Sequence, residues 1–568
     1  MTAPHPHPAH VQRLAQECAY LAHRTSQIAA ELAALQAAPV SAPAPVPTPP
    51  LASHPRPPVP PRRSWLSRAA DDGRLVGTVL AVAGVAVTVV GVGLLLVLVA
   101  QAGLLRPEVR VAAGAAFAAC TAALAVRART RGADVGAVAL AATGIATAYL
   151  VVVAVTSLYH WVPTVVGLVL AAAVAGAGVG WARTWRSERL AIVTVTPLIA
   201  VAPLVAGGVD LALAGFMVGI AVTCVAVAHR TPWAWLPVVA VTGAALWVTA
   251  GVVAARLAAV DVDGPLLAAA CVTTAMTGLS AGFSSVTRRV SATSAALSSV
   301  IGCVPALVCG LAVQRPVAAA VVAAVAVAST ALVVRASAGT STVRTTWACL
   351  AASASVIAIP TAFDAPVAVP ALLALAATVT VAGRGDRVIA GVGTGLAAIG
   401  TLAHLGWSVP VESLLTPIAR TDGQTVSAVV ASLLLIGVAA AVGVVHRARP
   451  GAPIAAGVVA LYGLTATVVT VGVAVGGPDA GFLAGHMAAT VAWVVAASVV
   501  LALAARMPAG PGRRAPIAAA VTLAGAAVAK LVTFDLATLD GAFRVGAFVA
   551  AGLVLLAVGA RQARARVV

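Results

Sequence analysis

The sequence predicts an all-α protein, a polytopic transmembrane helix bundle of about 18 spans in helical hairpins, with a short amphipathic or coiled-coil helix at its N-terminus. Three observations predict it. The 568 residues are 61% hydrophobic and only 9% charged, against about 25% charged in a soluble globular domain. Apolar runs recur from Leu75 onward, each about 17–25 residues and so long enough to cross roughly 30 Å of hydrocarbon. Arginine-bearing and carboxylate-bearing connections alternate between those runs. A formal net charge of +18 would suggest nucleic acid in a soluble chain. In this composition it reads as arginines holding loops on one side of a bilayer, so no nucleic-acid partner is expected.

The N-terminal region divides in two. Within residues 1–38, Leu14, Cys18, Leu21, Thr25, Ile28, Leu32 and Leu35 are spaced alternately by four and three, a heptad seam. Residues 11–38 therefore predict a helix that self-associates, pairs with a coiled-coil partner, or lies on the membrane surface. Residues 39–74 form a cytoplasmic linker. Eleven prolines between 39 and 61 rule out a helix and make that stretch an extended spacer. The opening MTAPHPHPAH has no basic patch followed by an apolar region, so the first span is expected to direct insertion.

Residues 75–568 form the membrane domain. Spans are expected near 75–100, 109–126, 135–157, 164–182, 190–208, 211–228, 236–255, 265–283, 294–313, 317–334, 346–363, 366–382, 388–405, 425–445, 453–475, 483–505, 515–533 and 543–560. They pair into nine hairpins with short connections. After each even-numbered span the loop is basic, as with Arg127, Arg129 and Arg131, then Arg183, Arg186 and Arg189, and later Arg384 and Arg387. After each odd-numbered span it is acidic or nearly neutral, with Asp210, Asp263, Asp364, Glu412, Asp422 and Asp479 among its members. By the positive-inside rule both termini are cytoplasmic. Small residues fill the spans, so close helix packing is expected. Pro197, Pro203, Pro366 and Pro370 are expected to kink or interrupt helices.

No carboxylate falls near the centre of a span, which argues against an ion-coupled pump, since such proteins keep ionisable groups at mid-depth. Motifs for ATP hydrolysis, zinc proteolysis and serine hydrolysis are absent. None of the seven cysteines forms a C-x-x-C pair; in apolar runs they read as core filling. No catalytic residue, metal or cofactor is assigned.

Polar residues concentrate instead at the acidic, outer rim. Tyr159 and His160 end the third span, His404 ends the thirteenth, and His486 begins the sixteenth. Each alone reads as an interfacial belt residue. Lys530 is the only lysine in the chain; at the outer end of a span it supplies a compact ammonium where every other cation is a planar fork. In KLVTFDLATLDGAFRV, Asp535 could neutralise Lys530, and Asp540 and Arg544 are spaced for an i, i+4 pair. These residues form either a structural clasp or a site for a phosphate or sugar headgroup. Lys530, Asp535, Asp540, Arg544, His486, His160, Tyr159 and His404 are thus the candidate substrate-binding residues.

The entry segment, from RPEVRVAAGAAFAACTAALAVRARTRG to GIATAYLVVVAVTSLYHWVP, and the exit AVAKLVTFDLATLDGAFRVGAFVAAGLVLLAVGAR together resemble the bacterial multi-spanning membrane proteins of the domain of unknown function 2339 family. That resemblance implies a bacterial plasma-membrane location and carries the family motif onto Lys530, Asp535 and Arg544, and onto Tyr159 and His160. Three roles follow for the chain. The first is a transporter or lipid-handling protein, which engages a lipid-linked or amphipathic substrate from the outer face. The second is an integral-membrane envelope enzyme, a lipid-donor glycosyl- or acyltransferase. Against it, the longest outer loop, 406–424, holds only Glu412 and Asp422, thin material for acid–base work. The third is a non-catalytic scaffold.

Overall fold

The computed structural model describes residues 106–257, 263–336, 341–449, 451–508 and 511–531, together with Val549. The expected N-terminal helix, the linker, and the first and last expected spans lie outside the described residues. Among the described residues every regular element is helical. Sixteen α-helices follow in order: α1 Pro107–Thr130, α2 Asp134–Val153, α3 Thr164–Thr184, α4 Glu188–Ala206, α5 Leu211–Ala228, α6 Leu236–Leu257, α7 Gly264–Thr287 and α8 Ala292–Val308. The second half contains α9 Arg315–Arg335, α10 Ser341–Ala362, α11 Ala365–Ala382, α12 Arg387–Ala403, α13 Asp422–Val445, α14 Gly451–Gly476, α15 Phe482–Ala505 and α16 Pro511–Lys530. Fourteen stretches among the described residues are long and apolar enough to cross a membrane, and the last of them, Gly451–Ala505, contains both α14 and α15. Short π-helical turns extend α2 (Ala154–Leu158), α12 (His404–Ser408) and α14 (Gly477–Gly481).

The helices pair, but in a register that sequence division alone does not reveal. Counting hairpins from the first span would join helices across the acidic connections. The extensive packing instead joins α1 to α2, α3 to α4, and so on through α15 to α16, across the arginine-bearing turns; α14 and α15, across the connection that holds Asp479, pack as closely as α3 and α4. The pairs then stand side by side. In the even row α2 packs on α4, α4 on α6, α6 on α8, α8 on α10, and α10 on α12. In the other row α5 packs on α7, α7 on α9, and α11 on α13.

Lipid supplies no hydrophobic drive between helices, so their association rests on close backbone approach. Gly278 on α7 and Gly302 on α8 show it: a Cβ on Gly302 would lie 2.8 Å from the Gly278 Cα and 3.0 Å from the Thr274 carbonyl. Between α14 and α15, a Cβ on Gly485 would lie 2.8 Å from the Val469 Cα. Hydroxyls in the spans donate back to their own helix, as from Thr143 to the Ala139 carbonyl at 3.0 Å and Ser299 to the Ala295 carbonyl at 2.8 Å. Such bonds satisfy a polar group where no water can.

The expected proline interruptions do not occur, and for Pro203 and Pro370 a side chain of another helix takes over the freed acceptor. α4 runs through both Pro197 and Pro203 as one helix, and α11 through Pro370. Pro203 has no N–H to donate to the carbonyl four residues back. That carbonyl, on Ile199, accepts instead from the indole nitrogen of Trp247 on α6 at 2.8 Å.

The Gly278–Gly302 crossing is directly testable. Gly302→Val should destabilise the protein by about 1–3 kcal/mol through overpacking, read as a lowered unfolding temperature in detergent. Gly219→Ala, where a Cβ meets nothing within 4 Å, should leave that temperature unchanged or raise it.

Candidate functional site

Candidate site residues fall into three places. Tyr159 and His160 follow the π-turn of α2, where Tyr159 stacks on Trp161 with ring centroids 5.2 Å apart and His160 is exposed with φ 52°. This is an aromatic cap at a helix end, consistent with belt residues at headgroup level. His404 opens the π-turn that extends α12, and His486 lies in the first turns of α15. The three histidines therefore belong to different hairpins, and no cluster of three or more metal-ligating side chains occurs among the described residues.

His404 is the most informative of them. Its side chain is fully buried, a placement that a belt residue would not have. The ring meets Tyr462 of α14 edge-on, with centroids 6.1 Å apart, and its Nε2 lies 3.4 Å from the Ser432 hydroxyl of α13. Its Nδ1 is buried with no hydrogen-bond partner among the described residues. The Tyr462 hydroxyl donates to the Val409 carbonyl just beyond the π-turn. Arg420, on the loop that leads into α13, returns over the same place and donates to the Ser408 carbonyl at 3.3 Å. No carboxylate among the described residues pairs with Arg420. Burial pulls its pKa below the ordinary guanidinium value, and Tyr462 partly offsets this; an arginine remains charged regardless.

This place, where the end of α12 meets the middle of α13 and α14, brings together one fixed cation, an imidazole with a spare ring nitrogen, and two hydroxyls. A π-turn is a rare distortion that often marks functional positions, and here it turns His404 inward. Ser432 donates to the Ala428 carbonyl at 2.7 Å, so His404 donates from Nε2 and its spare Nδ1 is an acceptor. An unneutralised cation is costly when partly desolvated, and an anionic group would relieve Arg420. Arg420, Ser432 and Tyr462 escaped sequence reasoning, since nothing in their spacing links them to His404. One signal was present: Arg420 is a cation in an acidic connection, an exception to the alternation of charge.

Lys530, at the end of α16, reaches α15, where its ammonium donates to the Thr490 hydroxyl at 2.7 Å and the His486 carbonyl at 3.3 Å. His486 is buried against Phe482, with ring centroids 4.6 Å apart. The structure thus brings Lys530 and His486 together, through backbone rather than ring. Asp535, Asp540 and Arg544 lie outside the described residues.

The opposite, arginine-bearing rim is stitched together turn by turn. Arg129 pairs with Asp134 at 2.7 Å, lies 5.5 Å over the Trp185 ring and donates to the Trp185 carbonyl at 3.4 Å, tying the first hairpin to the second. Glu188 accepts from the backbone N–H groups of Trp235 and Leu236, tying the second to the third. Arg288 donates to the Thr231 carbonyl at 3.2 Å, tying the third to the fourth. Arg344 pairs with Asp386, whose other oxygen caps α12 by accepting from Val388 at 2.8 Å and Ile389 at 3.2 Å. The Arg344 hydrogen bond holds the Asp386 carboxyl below its usual pKa.

In the comparisons with known proteins, a family model described as predicted membrane protein (DUF2339) matches residues 76–420. No curated protein and no solved structure matches the chain. The matched region includes His404 and ends on Arg420; Lys530 and His486 lie beyond it.

The Arg344–Asp386 tie predicts a pH dependence. Because the folded-state pKa of Asp386 is depressed, its contribution is complete above the ordinary carboxylate pKa near 4 and is lost as pH falls through the lower, folded value. Asp386→Ala should cost about 0.5–2 kcal/mol through loss of the helix cap alone. In thermal unfolding against pH, its curve should approach that of the wild type only under acid conditions.

Proposed function

We propose, on the premise that this chain belongs to the DUF2339 family of predicted membrane proteins, that it is a transporter or lipid-handling protein whose substrate is an anionic amphipathic molecule. The observation that carries this reading is Arg420, a half-buried cation that no carboxylate among the described residues pairs with, beside the buried His404. A partly desolvated guanidinium favours phosphate or carboxylate groups that can accept its fork. Spans that carry no mid-depth carboxylate suit a substrate whose long apolar part remains in lipid. Lys530 with Thr490 and His486 gives a second polar place on the same rim, where a headgroup could pause.

The reading includes a bacterial plasma membrane, eighteen crossings and both termini in the cytoplasm, with arginine turns inside and the Arg420–His404 site towards the outside. Support comes from the alternation of charge along the sequence. The N-terminal segment 11–38 would then serve self-association or a coiled-coil partner on the inner side.

Two measurements test it. Binding of a polyprenyl phosphate to the protein in nanodiscs should weaken roughly 10- to 100-fold in Arg420→Gln, the size of one lost charge-assisted hydrogen bond, and to a lesser degree in His404→Ala. Equal binding by both variants and the wild type, with all three folded, would overturn the site. For orientation, single cysteines at Asp364 and Arg384 should label from opposite faces of intact cells.

A further inference from the structure

On the arginine side of the molecule, α10 and α12 leave between them a groove of about 650 Å³, within the size range of small-ligand sites. Both helices start at the arginine rim and run in the same direction, so the groove has one charged end and one apolar end. Arg387 and Thr345 stand at its mouth, Cys349, Gly391 and Gly395 line its middle, and Ile357 and Ile399 lie at its far end. From residue 387 to residue 399 a helix rises about 18 Å, a little more than one leaflet of a core roughly 30 Å thick.

The glycines of α12 divide by face. A Cβ on Gly393 would lie 2.7 Å from the Thr380 backbone and one on Gly400 2.8 Å from Leu373, so those two permit helix contact. A Cβ on Gly391 or Gly395 meets nothing within 4 Å. Glycine inside a helix costs about 0.5–1 kcal/mol relative to alanine, and at these two positions no protein neighbour explains it. Their effect is to keep the groove floor recessed. Arg387 lines the mouth and is exposed, as is Arg384 three residues before it, and no carboxylate among the described residues pairs with either; Arg344, next to Thr345, is neutralised by Asp386.

We propose that this groove binds one anionic phospholipid of the arginine-side leaflet, with an acyl chain over Gly391 and Gly395 and the phosphate on Arg387 and Arg384. Three features select this occupant. The lining is apolar to a depth of one leaflet, the uncompensated charge at the mouth is positive, and the groove lies in a span, where lipid is the surrounding solvent. Basic pockets at the ends of transmembrane helices take anionic headgroups by the same combination. The groove is independent of the Arg420–His404 site and stands whether or not that site binds a substrate.

The experiment is binding of phosphatidylglycerol, phosphatidylcholine and inorganic phosphate to the delipidated full-length protein, followed by native mass spectrometry. The wild type should retain one phosphatidylglycerol in clear preference to phosphatidylcholine, and inorganic phosphate should not compete. Arg387→Ala should weaken that retention about tenfold, the usual effect of losing one charge-assisted contact. Gly391→Leu with Gly395→Leu should abolish it by filling the groove, while unfolding temperature stays at or above that of the wild type. Undiminished retention in the leucine variant overturns the proposal, and so does equal retention of the two lipids. Efficient Cys349-to-Cys349 crosslinking between copies in native membranes also overturns it, since a second copy would then occupy the groove.

Discussion

Every polar backbone group inside a bilayer must be satisfied by the protein itself, and this one constraint organises the molecule. Helices meet it internally, and only then can they approach one another. Approach in turn depends on having little side chain in the way, which is why Gly278 and Gly302 face each other backbone to backbone. Where a helix cannot meet the constraint alone, a neighbour does so. The Ile199 carbonyl, deprived by Pro203, takes its hydrogen from Trp247 of the next hairpin. A second tie to this helix is the buried Tyr149 hydroxyl of α2, which donates to the Thr194 carbonyl at 3.2 Å. A proline that would break a soluble helix becomes a point of attachment between helices.

The two rims solve different problems. On the arginine side, side chains from successive turns hold one another, and three of the carboxylates that break the charge alternation, Asp134, Glu188 and Asp386, are each spent on an arginine or on backbone N–H groups. The arginines of this rim therefore join adjacent hairpins. On the other side, Asp210 and Asp263 cap α5 and α7. The Arg315–Asp364 pair there is exposed, with an N–O distance of 3.4 Å, so it adds little to stability. The exception is the region around His404, where polar groups are drawn inward and left partly unsatisfied. An arrangement that costs stability in this way points to function more strongly than one that lowers the energy.

The fold was largely legible because its signal is local. A run of apolar residues long enough to cross a bilayer is contained in one segment, and expected segments such as 211–228 and 388–405 coincide with α5 and α12 to within a few residues. Hairpin register was not legible, since hydropathy says where a helix lies and nothing about which neighbour it prefers. The candidate site was half legible. His404 and His486 stand out as polar residues near span ends, and Lys530 as a solitary lysine. Their partners do not: Tyr462 lies 58 residues beyond His404, and Thr490 and Ser432 resemble any other hydroxyl in a helix. The continuity of α4 through two prolines was also hidden, because the compensating donor, Trp247, belongs to another hairpin.

The pairing of helices across arginine turns bears on how the chain is made. Each tight pair is contiguous in sequence, so its contacts can form as soon as its second helix leaves the ribosome, without waiting for distant segments. Short-range contacts of this kind favour rapid assembly from the N-terminus onward. A growing chain would then add finished two-helix modules to the edge of a row, and the stitches along the arginine rim would fasten each newcomer to the one before it.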